Sequence, residues 1–277
     1  LGDVEGATQA AETRNNLSPT KEQRYYLNED DLPVKATSTS ASVIDALLEL
    51  DGATVTELTD HLPLSKSSVH DHLQTLAGLG YVVREGWRYH VSLQFLEIGA
   101  TVRRRYRIHR PGVEEARALA SAGFDASLVV LQDDTAVCIA TAAGGDDPPV
   151  VEVGDRLPLH CTAGGKAMLA AMDRDAADAV LGDGSLPGHT DNTVTDRAEL
   201  FEYLDEVENR GLALEHEERR DGVRGIGSAV TDSDSTVLGA LYVTGSADRL
   251  SGKTLQQDAS GLVLSSANRI RRRIRQQ

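Results

Sequence analysis

The sequence predicts an α+β protein in which a winged helix-turn-helix precedes a larger unit of helices and antiparallel strands. Residues 33–91 show closely spaced helical patterns and then two short strand-like runs. Residues 111–277 mix helical and strand patterns without the regular alternation of a doubly wound sheet. A chain of 277 residues is also long enough for two domains that each bury a core.

Residues 1–32 are predicted to form a disordered tail, because they lack a sustained apolar period and end in a polar, acidic run. The first predicted element is a helix over Ser38–Leu50, which Asp51 and Gly52 end. Its buried side is predicted to consist of Val43, Ile44, Leu47, Leu48 and Leu50.

A second and a third helix follow, separated by a tight turn. The second helix carries apolar residues at helical spacing: Val55, Leu58 and Leu62. Pro63 must end it, because the proline ring removes a hydrogen-bond donor and restricts the preceding residue. Ser65 can cap the third helix by accepting a hydrogen bond from an unpaired backbone N–H. The apolar side of the third helix is formed by Val69, Leu73 and Leu76.

A short hairpin comes after Gly78 and Gly80, which close the third helix. The runs 81–84 and 88–91 are rich in β-forming residues and flank Glu85-Gly86-Trp87, a spacing typical of a β-hairpin. Helix, turn, helix and wing together place a recognition helix in the major groove of DNA. We therefore interpret residues 33–91 as a DNA-binding domain.

The polar side of the third helix should face the DNA. Lys66 is expected to contact phosphate, Gln74 to pair with adenine, and His70 to donate to a base acceptor. Asp71 could accept from a cytosine amino group or orient His70. The other predicted DNA-binding residues lie at the helix N-terminus and on the wing: Ser65, Ser67, Ser68, Arg84, Trp87 and Arg88. Packing within the hairpin is the alternative role for Trp87, and the one we favour for Tyr89.

A linker helix is predicted over residues 92–110. Its apolar side is formed by Leu93, Leu96, Ile98 and Val102. It leads into Arg103–Arg110, called the arginine run below, which holds five arginines and no acid. Two interpretations of this run stay open: contact with phosphate, and a solvated face that pairs with the acidic surface.

From residue 111 onward the patterns predict helices flanking an antiparallel sheet. The predicted helices are Val113–Ala122, Ala163–Ala171, Asp196–Gly211 and a terminal helix from about Thr254 to Arg275. The predicted strands are Ser127–Leu131, Ala136–Ala140, Val150–Val153, Ile226–Thr231 and Val237–Gly245.

The chain is strongly acidic, with a net charge of −15, and only 5 of its 28 basic residues are lysine. This balance is typical of adaptation to a salty cytoplasm, and an ordinary acidic cytosolic protein is the alternative. At molar salt the Debye length is ~3 Å, so repulsion between chain and DNA is screened. Binding driven by counterion release also weakens, so shape, hydrogen bonds and dimerisation must supply more of the affinity.

Several segments together resemble the IclR family of transcriptional regulators, from about Pro33 to the C-terminus. In the DNA-binding domain these are Val55-Thr56-Glu57-Leu58, Leu64–His70 and Leu79-Gly80-Tyr81-Val82. Beyond it the closest match is Gly154–Ala167, followed by Gly211-Leu212-Ala213, Glu217-Glu218, Gly222-Val223-Arg224-Gly225 and Ala240–Gly245. The low lysine content resembles haloarchaeal members in particular.

This resemblance implies a winged helix-turn-helix domain joined to a GAF-like effector-binding and oligomerisation domain over residues 111–277, in a homodimer or a dimer of dimers. It also implies that the effector pocket draws on Leu157, Glu215, Val223, Gly225, Tyr242 and Thr244. The family often has Gly at the position of Ala163 and a larger residue, frequently Cys, at that of Gly225. Effector identity therefore does not carry over.

The loop His160–Ala163 opens a helix whose exposed N–H groups include those of Ala163 and Gly164, where an anionic ligand can approach. It is not a P-loop, because Ala167 stands where Ser or Thr must hold magnesium. Glu215 would repel an anion unless protonated or paired, and it could accept from ligand hydroxyls. We therefore favour a small organic, sugar or aromatic acid that carries a hydroxyl. In the alternatives, the glycines serve only helix–strand packing, or the domain serves only assembly.

We predict no enzymatic activity, cofactor, metal site or membrane association. A thiol enzyme could use Cys161 with His160 or His216, but a lone Cys beside apolar residues is more often a packing residue. These three residues and His189 lack the compact spacing of metal ligands. Two cysteines are too few for a disulfide framework, and no apolar run approaches the ~20 residues of a membrane span, so we expect a cytoplasmic protein.

The mechanism predicted from these features is a homodimer whose winged domains grip the half-sites of a palindromic operator in double-stranded DNA. A small-molecule effector bound in the C-terminal domain would change the placement of the winged domains through the linker helix.

Overall fold

The computed structural model describes residues 32–146, 148–252 and 258–276, so the predicted tail lies outside the described residues except for Leu32. The chain divides into two compact units, with the boundary between Arg103 and Arg104. Each unit has its own apolar interior.

The N-terminal unit is a winged helix-turn-helix, as predicted. Its helices in the described chain are α1 Lys35–Glu49, α2 Val55–His61, α3 Lys66–Gly78 and α4 Gln94–Arg104. Its strands are β1 Val82–Glu85 and β2 Arg88–Val91, which pair antiparallel. Gly86 begins the turn between them with φ +62°, a conformation that glycine adopts without strain.

Side-chain caps fix where α2 and α3 begin. Thr54 and Glu57 form a capping box in which each side chain accepts from the backbone N–H of the other residue. Ser65 accepts from the N–H of Ser68 at 3.2 Å, which confirms the predicted cap of α3. Leu62 is extended at φ −108° and ψ 147°, as expected before Pro63.

The core of this unit joins α1, α2, α3 and the hairpin. Its buried members include Val43, Ala46, Leu47, Leu58, Val69, Leu73, Leu76, Val82 and Tyr89. The prediction that Leu48 is buried is wrong, since its side chain is 60% exposed. It follows Leu47 directly, and one residue turns a side chain about 100° around a helix.

Helix α4 covers the first part of the predicted linker segment and ends at Arg104. Residues 105–108 form turns, so the arginine run is not one continuous helix. No residue of α4 is buried. Its exposed apolar side includes Phe95, Leu96, Ile98 and Val102, with Leu93 just before the helix.

The C-terminal unit has one antiparallel sheet with helices on both faces, which confirms the predicted α+β class. Its strands are β3 Asp125–Gln132, β4 Thr135–Ala142, β5 Arg156–Pro158, β6 Ala213–His216, β7 Val223–Thr231 and β8 Val237–Ser246. They lie in the order β5-β4-β3-β8-β7-β6. The helices are α5 His109–Ser121, α6 Ala163–Ala170, α7 Arg174–Leu181, α8 Arg197–Arg210 and α9 Ser260–Arg275.

Helices α6 and α8 cover one face of the sheet, and α5 and α9 cover the other. Alternate residues of β8 divide between the faces, with Tyr242 under α6 and Leu241 and Val243 on the opposite side. The C-terminal unit thus buries apolar residues on both faces of its sheet.

Four details of this unit differ from the prediction. Val150–Val153 is not a strand, because the chain turns there and the Asp155 carboxylate accepts from the N–H of Glu152. The edge strand is β5 instead, and neither α7 nor β6 was predicted. The predicted start of the terminal helix, Thr254, lies outside the described residues. Within the described ranges, no helix combines the length and apolar character that a bilayer span requires.

Candidate DNA-binding surface and candidate ligand site

Helix α3 presents a polar surface opposite its buried apolar side. The exposed residues there are Lys66, Ser67, His70, Asp71 and Gln74, all predicted to contact DNA. Ser65 and Ser68 are engaged in the helix cap, with Ser68 only partly exposed. The side-chain nitrogen Nδ1 of His70 lies 3.6 Å from Oδ1 of Asp71, which fits the suggested orienting role of Asp71.

The wing carries an exposed aromatic ring at its tip. Trp87 is 81% exposed, whereas Tyr89 is buried in the core. The guanidinium of Arg84 lies 5.5 Å from the Trp87 ring centroid and 5.7 Å from that of Tyr89. Its Nε also donates to the carbonyl of Gly86 at 2.9 Å, so Arg84 stiffens the hairpin turn.

Two side chains near this surface hold the unit together. Arg88 forms an ion pair with Glu57 at 3.1 Å and donates to the carbonyl of Gly52. Because its guanidinium is engaged within the protein, Arg88 is less available for contact with DNA. His72 pairs with the hydroxyl of Ser40 at 2.8 Å and so ties α3 to α1. Sequence reasoning missed both roles, because each joins residues more than 30 positions apart.

Five of the predicted effector residues lie on three neighbouring strands of the C-terminal unit: Glu215, Val223, Gly225, Tyr242 and Thr244. Glu215 of β6 lies opposite Gly225 of β7, and Gly225 lies opposite Thr244 of β8. Tyr242 and Val223 are each two residues from this row, on the same side of the sheet by strand periodicity. Leu157 is buried in the same apolar cluster as Tyr242 but lies on β5, at the other edge of the sheet.

Glu215 is fully buried beneath the N-terminus of α6. Its Oε2 accepts from the N–H of Ala163 at 3.2 Å, so the side chain occupies a donor that the sequence assigned to a ligand. Its Oε1 lies 3.8 Å from Nε of Arg219. Burial raises the pKa of the Glu215 carboxyl to about 7, against the opposing effect of the Arg219 charge.

Arg219 is buried beside Glu215, and sequence reasoning missed it. Both terminal nitrogens of its guanidinium lack a hydrogen-bond partner within the described chain. The same is true of Oε1 of Glu215 and of the hydroxyl of Tyr242. The charges of Glu215 and Arg219 both act on the pKa of Tyr242, which burial raises, so the three residues form one buried polar cluster.

Two glycines let α6 approach the sheet closely. A Cβ on Gly227 would lie 2.6 Å from the carbonyl oxygen of Ala163, so only glycine fits there. A Cβ on Gly225 would lie 3.2 Å from Oε2 of Glu215 and 3.3 Å from the Cβ of Ala163. Gly164 similarly packs against Tyr242 and Val129. Helix–strand packing therefore explains these glycines, and the polar cluster is the stronger sign of a ligand.

A buried ion pair lies beside this cluster. The ammonium of Lys166 donates to both carboxylate oxygens of Glu218, and both side chains are almost completely buried. Oε1 of Glu218 also accepts from the N–H of His216 at 3.1 Å. Lys166 stands 4.7 Å from the ring centroid of Tyr203, a further favourable contact for its charge.

Cys161, the residue considered as a nucleophile, is buried. Burial raises the pKa of its thiol, as do the carboxylates of Glu215 and Glu218, so the reactive thiolate is disfavoured. His216 is exposed at the end of β6, while His160 lies next to Cys161 and close to His189. The geometry thus argues against thiol catalysis.

Comparison with known proteins gives one family for both units. The model described as "Bacterial transcriptional regulator IclR C-terminal" matches residues 114–272, and "IclR helix-turn-helix domain" matches residues 40–86. The probable HTH-type transcriptional regulator ArcR of Halobacterium salinarum is 27% identical, over 85% of this chain and 92% of that protein. The HTH-type transcriptional regulator KdgR of Escherichia coli is 31% identical, over 78% of this chain and 83% of that protein.

Among the solved structures similar to this chain is one of an inducer-binding domain, which matches the C-terminal unit. It is a double mutant of the inducer-binding domain of the Acinetobacter transcription factor PobR, in complex with 3-hydroxybenzoic acid. It is 27% identical, with a TM-score of 0.52, and covers 57% of this chain and 97% of that one.

Proposed function

The chain belongs to the IclR family of transcriptional regulators, and we propose that it binds an operator through α3 and the wing and senses a small hydroxylated acid in its C-terminal unit. In this proposal residues 33–91 bind DNA, residues 92–110 link the units, and residues 111–277 bind the effector and support assembly. The protein would act in the cytoplasm, where its operator lies.

The polar side of α3 supports the DNA-binding part of the proposal. Lys66 stands in the first turn, where its charge and the helix dipole both attract phosphate. Gln74 lies two turns further on with an exposed amide that can pair with the edge of adenine. These two side chains therefore have separable roles in affinity and in sequence preference.

Gel-shift assays with the full chain and a set of single-base operator variants test this separation. Lys66→Ala should weaken binding to every sequence by a similar factor, whereas Gln74→Ala should remove the preference at one base position, worth ~1–3 kcal/mol. Leu48→Ala changes an exposed residue outside this surface and serves as the control. An unchanged ranking of operators with Gln74→Ala would contradict base reading by that residue.

The buried polar cluster supports the effector part of the proposal. A buried polar group without a partner costs about 1–3 kcal/mol, and this cluster holds four such atoms on Glu215, Arg219 and Tyr242. A ligand carboxylate could pair with the two terminal nitrogens of Arg219 through parallel hydrogen bonds. A ligand hydroxyl could donate to Oε1 of Glu215 and accept from Tyr242.

The ligand class follows from that donor and acceptor set. From the sequence alone, Glu215 would repel an anion because no partner for its charge could be identified. Arg219 lies beside Glu215 and supplies a positive charge that can attract a ligand carboxylate. The PobR domain is solved with 3-hydroxybenzoic acid, which carries one carboxylate and one hydroxyl, and this chemistry fits the cluster. We therefore propose a hydroxy acid of small size, either aliphatic or aromatic.

A thermal-shift screen of hydroxy acids against matched acids without the hydroxyl tests the proposal. A ligand at 100 times its Kd adds ~2.7 kcal/mol to the free energy of unfolding, a shift of several degrees. Arg219→Met should abolish the shift, whereas Arg210→Met, on the exposed end of α8, should keep it. Uniformly unshifted melting would instead favour a C-terminal unit that serves assembly only.

We propose a homodimer because α4 presents an apolar side that the described residues of its own protomer leave exposed. Five apolar residues are exposed there: Leu93, Phe95, Leu96, Ile98 and Val102. A patch of this kind usually marks an interface, and a second copy of α4 offers a complementary surface by symmetry. Such a dimer would carry two winged domains for two half-sites.

A further inference from the structure

Three residues that are separate in the sequence bring possible metal ligands together in the C-terminal unit. His160 and Cys161 precede α6, and His189 belongs to the segment between α7 and α8. One ligand atom from each lies no more than 4.8 Å from those of the other two. Among the described residues, these three side chains form a group of His, Cys, Asp or Glu residues close enough together to share a metal ion.

Hydrogen bonds tie the His189 segment both to the His160 loop and to the residues that follow β6. His160 Nε2 and the carbonyl of Pro187 are 2.9 Å apart. The hydroxyl of Thr193 accepts from the N–H of His189 at 3.0 Å and donates to the carbonyl of Glu218. The two histidine rings are consequently held with their centroids 5.8 Å apart.

The bond to Pro187 also has a chemical consequence. When Nε2–H donates to a carbonyl, the neutral imidazole keeps its lone pair on Nδ1. Histidines that ligate metals usually donate their other ring N–H to a carbonyl or carboxylate in this way. His160 is therefore prepared in the tautomer that a metal ligand requires.

We propose that His160, Cys161 and His189 bind a divalent cation of the zinc type. Zinc and cobalt bind readily to two imidazoles and one thiolate, whereas the hard cations magnesium and calcium prefer oxygen ligands. Zinc lies ~2.0–2.1 Å from nitrogen and ~2.3 Å from sulfur, so in a tetrahedral site the ligand atoms must close to roughly 3.3–3.6 Å from one another. His189 is exposed, so rotation of its side chain can supply this closure.

The charges around the group allow a cation. Arg219 and Lys166 oppose it, but Glu215 and Glu218 offset them, and all four act on the thiol of Cys161. On binding, the Cys161 thiol transfers its proton to solvent as the sulfur–metal bond forms. The negative charge of the thiolate then neutralises one of the two positive charges of the cation. Three protein ligands leave a fourth position for a water molecule.

This site is independent of the proposed effector, because it needs no carboxylate or hydroxyl ligand. It lies close enough to the polar cluster for Arg219 to act on the pKa of His189, which burial lowers. A bound metal would tie the segment between α7 and α8 to the start of α6. The sequence spacing alone did not predict the site, since 28 residues separate Cys161 from His189.

Cobalt titration of the EDTA-treated full chain tests the proposal with the metal alone. We expect one Co²⁺ per protomer, with visible bands of a tetrahedral site and a sulfur-to-cobalt charge-transfer band in the near ultraviolet. Cys161→Ser should lose the charge-transfer band, while Cys138→Ser should keep it, because Cys138 is the other buried free cysteine and lies on β4. His189→Ala should weaken Co²⁺ binding at least tenfold, whereas His216→Ala should not.

His189→Ala changes an exposed side chain, so it tests the site even if Cys161→Ser fails to fold. Chelator competition with Zn²⁺ should give the same order of affinities among the variants. The proposal is overturned if Co²⁺ binds with less than one equivalent per protomer, or if the charge-transfer band survives in Cys161→Ser. Equal affinity of His189→Ala and the unmodified chain would overturn it as well.

Discussion

Glu215→Gln should flatten the dependence of the free energy of unfolding on pH. Burial raises the pKa of the Glu215 carboxyl from 4.5 to about 7, although the Arg219 charge opposes the shift. A carboxyl whose folded-state pKa is raised binds its proton more tightly in the folded chain. Its contribution to stability is therefore complete below pH 4.5 and is lost as the pH rises through 7.

The size of the effect follows from the shift. At ~1.4 kcal/mol per unit of pKa, the whole contribution is ~3 kcal/mol, of which ~2.5 kcal/mol disappears between pH 5 and pH 8. Burial lowers the pKa values of His160, His189 and His216, and these groups gain stability as the pH rises instead. They are present in both proteins, so the difference between the two proteins isolates Glu215.

Urea unfolding followed by far-ultraviolet circular dichroism at pH 5 and pH 8 measures the difference, with EDTA and constant KCl throughout. The unmodified chain should lose ~2.5 kcal/mol more than Glu215→Gln over this interval. Glu202→Gln, on the exposed side of α8, should behave like the unmodified chain. Equal pH dependence in Glu215→Gln and the unmodified chain would mean that Glu215 stays ionised beside Arg219, and would refute the argument.

Three further predictions concern charge and assembly. Lys166→Met should cost about 3–5 kcal/mol in urea unfolding because it leaves Glu218 buried and unpaired, and adding Glu218→Leu should recover most of that loss. A plot of the logarithm of operator affinity against log[KCl] should have a slope of about −4 per dimer if each winged domain contacts two phosphates through cations. The slope should be clearly steeper if the arginine run also contacts phosphate. If the proposed dimer forms through α4, Leu96→Asp should shift it to monomer in light scattering, while Leu48→Asp, at a similarly exposed residue of α1, should leave it intact.

The winged helix-turn-helix could be predicted from the sequence because its signals are local. The Ser65 cap, the break at Pro63 and the turn at Gly86 each act within a few residues. The bounds of α8 were predicted for the same reason, since Asp196 caps its start and Gly211 ends it in the left-handed conformation. The bounds of these elements are set by interactions between residues close in sequence, so they do not depend on the rest of the fold.

The polar cluster could not be predicted in the same way, because distant residues build it. Ala163 and Glu215 are 52 positions apart, and the hydrogen bond between them depends on the pairing of β6 with β7. Strand β6 is only four residues long and was not recognised, so the place of Arg219 just beyond it was not recognised either. The sequence alone therefore predicts that Glu215 opposes an anion, whereas in the fold Arg219 lies beside it and can offset its charge.

Salt should affect the proposed DNA-binding surface and the proposed effector site differently. Helix α3 carries Lys66 as its only lysine or arginine, balanced by Asp71, and both are exposed, so salt at molar concentration screens them within ~3 Å. The charges of Glu215 and Arg219 are buried and are screened much less. Rising salt should therefore weaken operator binding while it leaves effector binding nearly unchanged, since only the first depends on exposed charge. If the protein is the ligand-sensing dimer proposed above, its effector affinity would persist in brine, and its affinity for DNA would depend on paired winged domains rather than on surface cations.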